Sequence, residues 1–475
     1  SIFLWKLSLP FNYTYALLSP DGAWNIQYIF SATDLNWVFS ISIAALLTSA
    51  ILTSPAREFS TNKPISYFSI FGVLLIALIS LLAGNAQALL VGWALLDLFE
   101  LFIRLHGSKE TEYFQNSLSD YLFRSAGLLF AYVFLCTNIL IRSSNSFGDL
   151  NGYLPIFALI LAAGFRIGIF PYRLRRLVIE QNQIELSSLL SITTVLTSLT
   201  PLLFVKWPSE PIYPTFIVLV LSGVAGLISA WIWLTESNNS ESQHHFMVAS
   251  AALIIYCVTG GSLAGAASVA AGMALIGGTV FLHTASSNRL SILLACGVIF
   301  LIGLPFTISS MMYTGIVPFG VLFLPFFIIL NLLLAGGTIR RILDKKETLF
   351  SNLPIWVQTI YPVGTFLGIL ILTLLGFWGW DGAAQIGYWW AGAGSALVLS
   401  IFVLLSWRSR DLLANIGAIQ IDFASRTLIK ISTILRFIYE YAFNLLEIAF
   451  GWLSLVLEGD GGWFWIGPVS YTHLR

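Results

Sequence analysis

The decisive stretch runs from Leu161 to Leu196, LAAGFRIGIFPYRLRRLVIEQNQIELSSLLSITTVL. An apolar run carries one cation, Arg166, and then meets Pro171. A basic turn of Arg173, Arg175 and Arg176 follows, then a polar stretch, then an apolar helix dotted with Ser and Thr. Apolar helices flanking a basic turn are the pattern of consecutive membrane spans. A charge inside such a span persists only where it has a partner, a water-filled cavity or a function.

Working outward, the 475 residues are 57% hydrophobic and only 10% charged, with mean hydropathy +0.85. Only internally hydrogen-bonded helices or closed barrels cross lipid, and the apolar runs here are long and continuous. The expected class is therefore an all-α polytopic membrane protein. Lys and Arg balance Asp and Glu at 23 each, so nothing in the charge points to nucleic acid. Cys136, Cys257 and Cys296 are widely spaced inside apolar spans and read as small core residues. No Gly-rich phosphate loop, CxxC pair or HExxH is present, so no cofactor or metal is expected.

Apolar runs of spanning length fall at 35–54, 66–84, 86–105, 119–142, 153–170, 184–206, 213–235, 246–260, 262–283, 290–309, 314–335, 355–377, 385–406 and 436–457, which makes about 14 transmembrane helices. Between 246–260 and 262–283, Gly260-Gly261 is either a break or a kink. Every second loop is basic: Arg57 and Lys63; Arg104 and Lys109; Arg173, Arg175 and Arg176; Arg289; Arg340, Arg341, Lys345 and Lys346; Arg408 and Arg410. The opposite loops offer Arg142 and Lys206, so the basic side is expected to be cytoplasmic. Residues 1–34 alternate apolar and polar between Gly/Pro turns and predict an extracytoplasmic hairpin. Residues 35–406 form the transmembrane domain. Residues 407–435 read as an amphipathic helix along the membrane face, and 436–475 as a last helix and tail whose ending, SYTHLR, fits no membrane pattern.

Polar groups inside spans are the candidates for function. Asp97 and Glu100 share a helix face, and Glu100 and Arg104 are four apart. They read either as a proton or cation site, or as an ion pair with Asp97 capped by a neighbouring helix. Arg166 stays protonated in any protein setting, so it can bias carboxylates or hold an anion but is a poor proton carrier. The alternative is an end-of-span charge grouped with Arg173 to Arg176. His244 and His245 adjoin a polar loop and read as interfacial. His283 ends a Gly/Ala-rich span and suits either a proton relay or a membrane interface. Glu440 and Glu447 share a face for packing.

These segments resemble the antiporter-like membrane subunits of respiratory complex I and related multisubunit cation/proton antiporters, over roughly residues 20 to 335. YFSIFGVLLIALISLLAGNAQALLVGWALLDLFELFI looks like the family's helix pair ending in a Trp-Glu motif. GFRIGIFPYRLRRLVIEQNQIELSSLLSITTVLTSL resembles its Lys-containing broken helix, its proline turn and the helix that follows. LIGLPFTISSMMYTG is similar to its Gly-x-Pro-Pro segment, and QHHFMVASA is a weaker echo of its Asp-x-Lys-x-x-x-Ala-Tyr-Ser motif.

The resemblance implies two inverted repeats with broken helices and a row of titratable residues, and here the chain departs from it. The Glu after Trp falls on Ala94, with Asp97 one turn later. The broken-helix Lys falls on Arg166, the Lys or His of the next helix on Ser191, and the terminal Lys or Glu on Tyr313. His283 alone retains a relay position. The chain also begins at the hairpin preceding the family's third helix.

The implied function is that of a membrane-arm subunit of a complex I-like, NADH:quinone oxidoreductase-type assembly with an altered or degenerate proton path. It would be non-catalytic by itself, in an energy-coupling membrane of bacterial inner-membrane type. Other membrane subunits and the lipid bilayer would be its partners, with redox subunits at a distance. The relay candidates are Asp97, Glu100, Arg166 and His283. The alternatives are a structural paralogue that docks a partner, or a subunit of a cation/proton antiporter or inorganic-carbon uptake system.

Overall fold

The structure, a computed structural model, describes residues 2–18, 25–61, 67–107, 117–118, 120–132, 153–169, 184–204, 213–236, 239–315, 323–343, 348–379 and 388–408. The predicted helix at 407–435 beyond Arg408 and that at 436–457, together with Glu440, Glu447, Cys136 and the basic turn at 173–176, lie outside the described residues. The chain divides into two units, Ser1–Val403 and Leu404–Arg475; the description below concerns the first.

A 3-10 turn, Ile2–Ser8, leads into an antiparallel hairpin of β1 (Phe11–Leu18) and β2 (Asn25–Ala32), with Phe11 opposite Ala32 and Leu18 opposite Asn25. The outer edge of β2 is pinned to the following helix turn, where Ser31 N–H donates to Leu82 O at 2.7 Å and Gly84 N–H to Ile29 O at 2.8 Å. Helices follow: α1 (Asp34–Thr61), α2 (Tyr67–Leu81), α3 (Ala86–Gly107), α4 (120–132), α5 (Tyr153–Ile167) and α6 (Ile184–Leu199). Then come α7 (Tyr213–Thr235), α8 (Asn239–Thr259), α9 (Leu263–Gly272), α10 (Gly278–Leu282), α11 (Asn288–Gly297) and α12 (Ile299–Ile302). The last are α13 (Leu324–Leu343), α14 (Ile355–Trp378) and α15 (Trp389–Arg408). Five of these segments are long and apolar enough to cross a membrane by length and composition: Asp34–Ala56, Phe216–Thr235, Leu263–Leu282, Leu324–Leu343 and Ile355–Trp378.

Small residues and hydroxyls let the helices approach closely, as membrane helices must when lipid gives no hydrophobic drive between them. α14 carries Gly364 and Gly368 four apart. Ser49 of α1 donates to Gly364 O at 2.5 Å, and a Cβ on Gly364 would stand 2.9 Å from Leu52 Cβ. A Cβ on Gly368 would stand 2.8 Å from Leu275 O, so α14 lies across both α1 and the middle of the α9–α10 unit. At one end of α1, Lys6 Nζ donates to Asp34 Oδ1 at 2.5 Å and to Gly379 O, just past α14, at 2.7 Å. A cation on the carbonyls that end a helix also offsets its dipole.

Several predicted boundaries move, each for a local reason. The helix over the 246–260 span starts earlier, at Asn239, so His244 and His245 lie within a helix, and His245 is buried. Gly260-Gly261 is a true break: Gly261 takes φ +78°, and Ser262 caps α9 by accepting Gly265 N–H at 3.1 Å. The span at 290–309 stops at Gly303 (φ +81°), where Pro305 and Phe306 (φ +62°) turn the chain into a 3-10 segment, Ile308–Gly315. The span at 314–335 is displaced to α13, because Arg340 and Arg341 belong to its last turn and give their guanidinium groups to Leu234 O and Glu236 O at the end of α7. Arg341 also stacks 4.7 Å from the Trp233 ring centre. Cys257 is buried, but Cys296 is exposed on the outward face of α11 that also shows Ile292, so it is not a core residue.

Candidate functional site: a buried ladder of charges

α3 spans 22 residues, about 33 Å at 1.5 Å per residue. Asp97 is the twelfth of them and therefore lies close to the midpoint of the helix. Glu100 and Arg104 follow at spacings of three and four, stacked on one face over about 10 Å. That face is covered by α4, α5 and α6, which supply partners for every one of these groups.

Arg166 donates from both terminal nitrogens to the two Asp97 oxygens, the Nη2–Oδ1 bond measuring 2.9 Å. Its Nε donates to Ser198 Oγ at 3.1 Å, and its guanidinium lies 4.4 Å from the Trp93 ring centre. Trp93 is itself fixed through Nε1 to Thr197 O at 3.1 Å. Both charged side chains of the Arg166–Asp97 pair are wholly buried. Arg166 is the penultimate residue of α5, and its side chain meets α3 near the midpoint of that helix. Beyond it, Gly168 takes φ +86° and closes the helix through N–H bonds from Gly168 and Ile169 to Gly164 O.

The ladder continues from Asp97. Arg124 of α4 bonds Glu100 and stands 3.9 Å from Asp97 Oδ1. Glu100 also pairs with Arg104 and accepts the Thr194 hydroxyl at 3.0 Å. Arg104 reaches Asp120 of α4 at 3.0 Å. The order is Arg166, Asp97, Arg124, Glu100, Arg104, Asp120: cations and carboxylates alternate, three of each, and their formal charges cancel. Cancellation with charge-assisted hydrogen bonds is what makes six buried ions tolerable, since an unpaired one costs several kcal/mol.

Against this ladder lies a cavity of about 30 Å³, measured as space open to the centre of a water molecule, lined in part by Asp120, Arg124, Arg166, Ser191, Thr194 and His244. That is room for about two waters. Chemically, the ladder holds charge firmly but is a poor proton path. Arginine does not release a proton in proteins, and each carboxylate would have to give up an ion pair to accept one.

The structure thus brings Asp97, Glu100 and Arg166 together. His283 is not with them; it sits at the end of α10 against Tyr361 of α14, Nδ1 to Oη 3.2 Å. Ala94 lies half-buried on α3 beside the ladder. Ser191 lines the cavity. Tyr313 is fully buried, and its hydroxyl donates to Ile302 O at 3.0 Å, where Asn331 Nδ2 also donates at 3.3 Å. The carbonyl freed by the break at Gly303 is thereby satisfied. Asp120 and Arg124 were missed from sequence. Their signal was present, an acid and a base four apart at the start of the 119–142 run.

The fold is shared with solved membrane complexes. The chain is similar to a chain in the structure of the Mrp complex from Dietzia sp. DQ12-45-1b, with TM-score 0.66 and 13% identity over 96% of this chain and 59% of that one. It is similar to a chain of the membrane-bound sulfane sulfur reductase, an archaeal respiratory membrane complex, with TM-score 0.58 and 14% identity over 79% and 69%. It is also similar to a chain of respiratory complex I from Thermus thermophilus with bound aureothin, with TM-score 0.57 and 14% identity over 81% and 90%. The chain spans about 59% of the length of the Mrp chain it matches. No protein-family model and no curated protein sequence matches it. The class that follows is an integral membrane protein with a fold shared by chains of these membrane complexes. At these identities the likeness establishes that fold.

Proposed function

We propose that the chain is a membrane subunit of a multisubunit, complex I-like or antiporter-like assembly, in which the half of the fold holding Arg166 is sealed to protons by the charge ladder. The ladder carries this reading. The positions where a titratable row is expected are occupied by Arg166, Ser191, Tyr313 and Ala94, apart from His283, and the ladder's three carboxylates are each held by arginine. The chain would take no redox cofactor of its own, with redox chemistry residing in partner subunits. The finer architecture belongs to the same proposal: fourteen spans, two inverted repeats whose broken helices are α5 and the α11–α12 unit, basic loops cytoplasmic, and residues 1–34 extracytoplasmic. Its support is that α5 ends one residue past Arg166, the helix after α11 ends at Gly303, and Arg340 and Arg341 gather at the end of α7.

A second reading is favoured by the water-sized cavity: an altered relay running through Asp97, Glu100, Arg166 and His283. Proton flux into vesicles carrying the purified chain separates the two. The sealed reading expects Asp97→Asn and Glu100→Gln to leave flux at the background of protein-free vesicles, as the unaltered chain does. A measurable flux that either substitution abolishes would establish the relay and refute the seal.

A further inference from the structure

The break at Gly303 is braced by α13. Asn331 donates Nδ2 to Ile302 O at 3.3 Å, and its side chain also hydrogen-bonds Tyr313. A backbone carbonyl can only accept, so the amide nitrogen must face the break and Oδ1 must face elsewhere. Asn331 is fully buried, yet among the described residues its Oδ1 has no hydrogen-bond partner. Ser250, midway along α8, is equally buried. Serines in helices commonly return the hydroxyl to a carbonyl four residues earlier, as Ser42 does to Val38 O and Ser395 to Ala391 O. Ser250 Oγ makes no such bond among the described residues.

Both residues line one cavity of about 10 Å³, measured as space open to the centre of a water molecule. Ser309, also fully buried, joins them, and the rest of the lining is apolar. Part of that wall is Met273, the first residue of a buried π turn, Met273–Gly277, between α9 and α10. Ser309 has lone pairs to offer: Thr307 gives its own hydroxyl proton to Leu304 O at 2.6 Å, so the 3.0 Å contact between the two hydroxyls uses the Ser309 proton. The cavity therefore presents one donor, Ser250, and two acceptors, Asn331 Oδ1 and Ser309 Oγ.

That set matches one water in number, size and hydrogen-bond sense, since a buried water typically makes about three hydrogen bonds and needs about this much room. A cation would meet three neutral side-chain oxygens and no carboxylate in this lining, which leaves its charge uncompensated. We propose that the cavity binds one ordered water, which accepts the Ser250 hydroxyl and donates to Asn331 Oδ1 and Ser309 Oγ. The water ties α8 and α13 to the 3-10 segment Ile308–Gly315 that follows the break. The conformation at Gly303 is then held in part through α8. The inference rests on these atoms and not on the proposed function, so either can fail without the other.

The test has two arms. Electron cryo-microscopy of the full chain in lipid nanodiscs, at a resolution that shows ordered waters elsewhere, is expected to place one density peak within hydrogen-bond distance of Ser250 Oγ, Asn331 Oδ1 and Ser309 Oγ. Absence of that peak overturns the proposal, whatever the variants do. In the second arm, Ser250→Ala removes one bond to the water and is expected to lower the folding equilibrium constant about threefold to tenfold. The change should be the same in sodium and in choline buffers. In a dry cavity the same substitution would only delete an unsatisfied hydroxyl, so unchanged or raised stability overturns the water. Stabilisation by sodium that Ser250→Ala abolishes overturns it too, and assigns the cavity to a monovalent cation.

Discussion

Replacing Arg166 by Met tests whether the ladder is a structural unit. The substitution keeps an unbranched apolar side chain of similar reach but removes both bonds to Asp97, the bond to Ser198 Oγ and the stacking on Trp93. Asp97 would then remain buried with Arg124 at 3.9 Å as its nearest remaining cation. Leaving one member of a buried pair uncompensated costs about 3–5 kcal/mol, roughly two to nearly four decades in the folding equilibrium. Adding Asp97→Leu should recover most of that loss, because an apolar replacement of both partners is often neutral or stabilising. The assay is reversible unfolding in mixed micelles for the unaltered chain, both single variants and the double variant, closed as a double-mutant cycle. Coupling near zero, or an Arg166→Met variant within about 1 kcal/mol of the unaltered chain, would refute the view that these six charges stand or fall together.

Arg166→Lys should behave differently from Met: it keeps a charge but loses the two-point grip and places a releasable proton beside Asp97, so proton leak into vesicles should rise above the unaltered chain. Gly364→Val should lower stability by about 1–3 kcal/mol, since even its Cβ would press on Leu52 and Thr53; thermal unfolding in detergent reads this directly. Tyr313→Phe removes one of two donors to the Ile302 carbonyl and should cost about 1–2 kcal/mol while leaving helix content by circular dichroism unchanged. Lys6→Met should shift stability by about 1 kcal/mol or less, because Asp34 is exposed and Lys6 only partly buried in their ion pair.

The fold was legible where a single period dominates. α14 occupies the run that hydropathy marks out, because a continuous apolar stretch with no internal polar competitor leaves the chain one choice. Legibility failed where a charged or polar residue is helical because of a partner elsewhere. Arg340 and Arg341 look like a loop in sequence and are helix because the carbonyls ending α7 receive them. The site was half legible for the same reason. The i,i+4 pair of Glu100 and Arg104 is local and readable, whereas the Arg166–Asp97 pair joins residues 69 apart, and no local pattern announces it.

The contact between α1 and α14 bears on how the protein is made. Ser49 and Gly364, bonded in the finished fold, are 315 residues apart. At ribosomal speeds of about 5–20 residues per second, roughly 15 to 60 s pass between the emergence of one and the other. Throughout that interval the face of α1 that will meet α14 has only lipid, translocation machinery or provisional neighbours against it. Closure of the first helix onto the fourteenth is thus a late event in assembly, and variants at Ser49 or Gly364 would be expected to show their defect first as intermediates captured during synthesis.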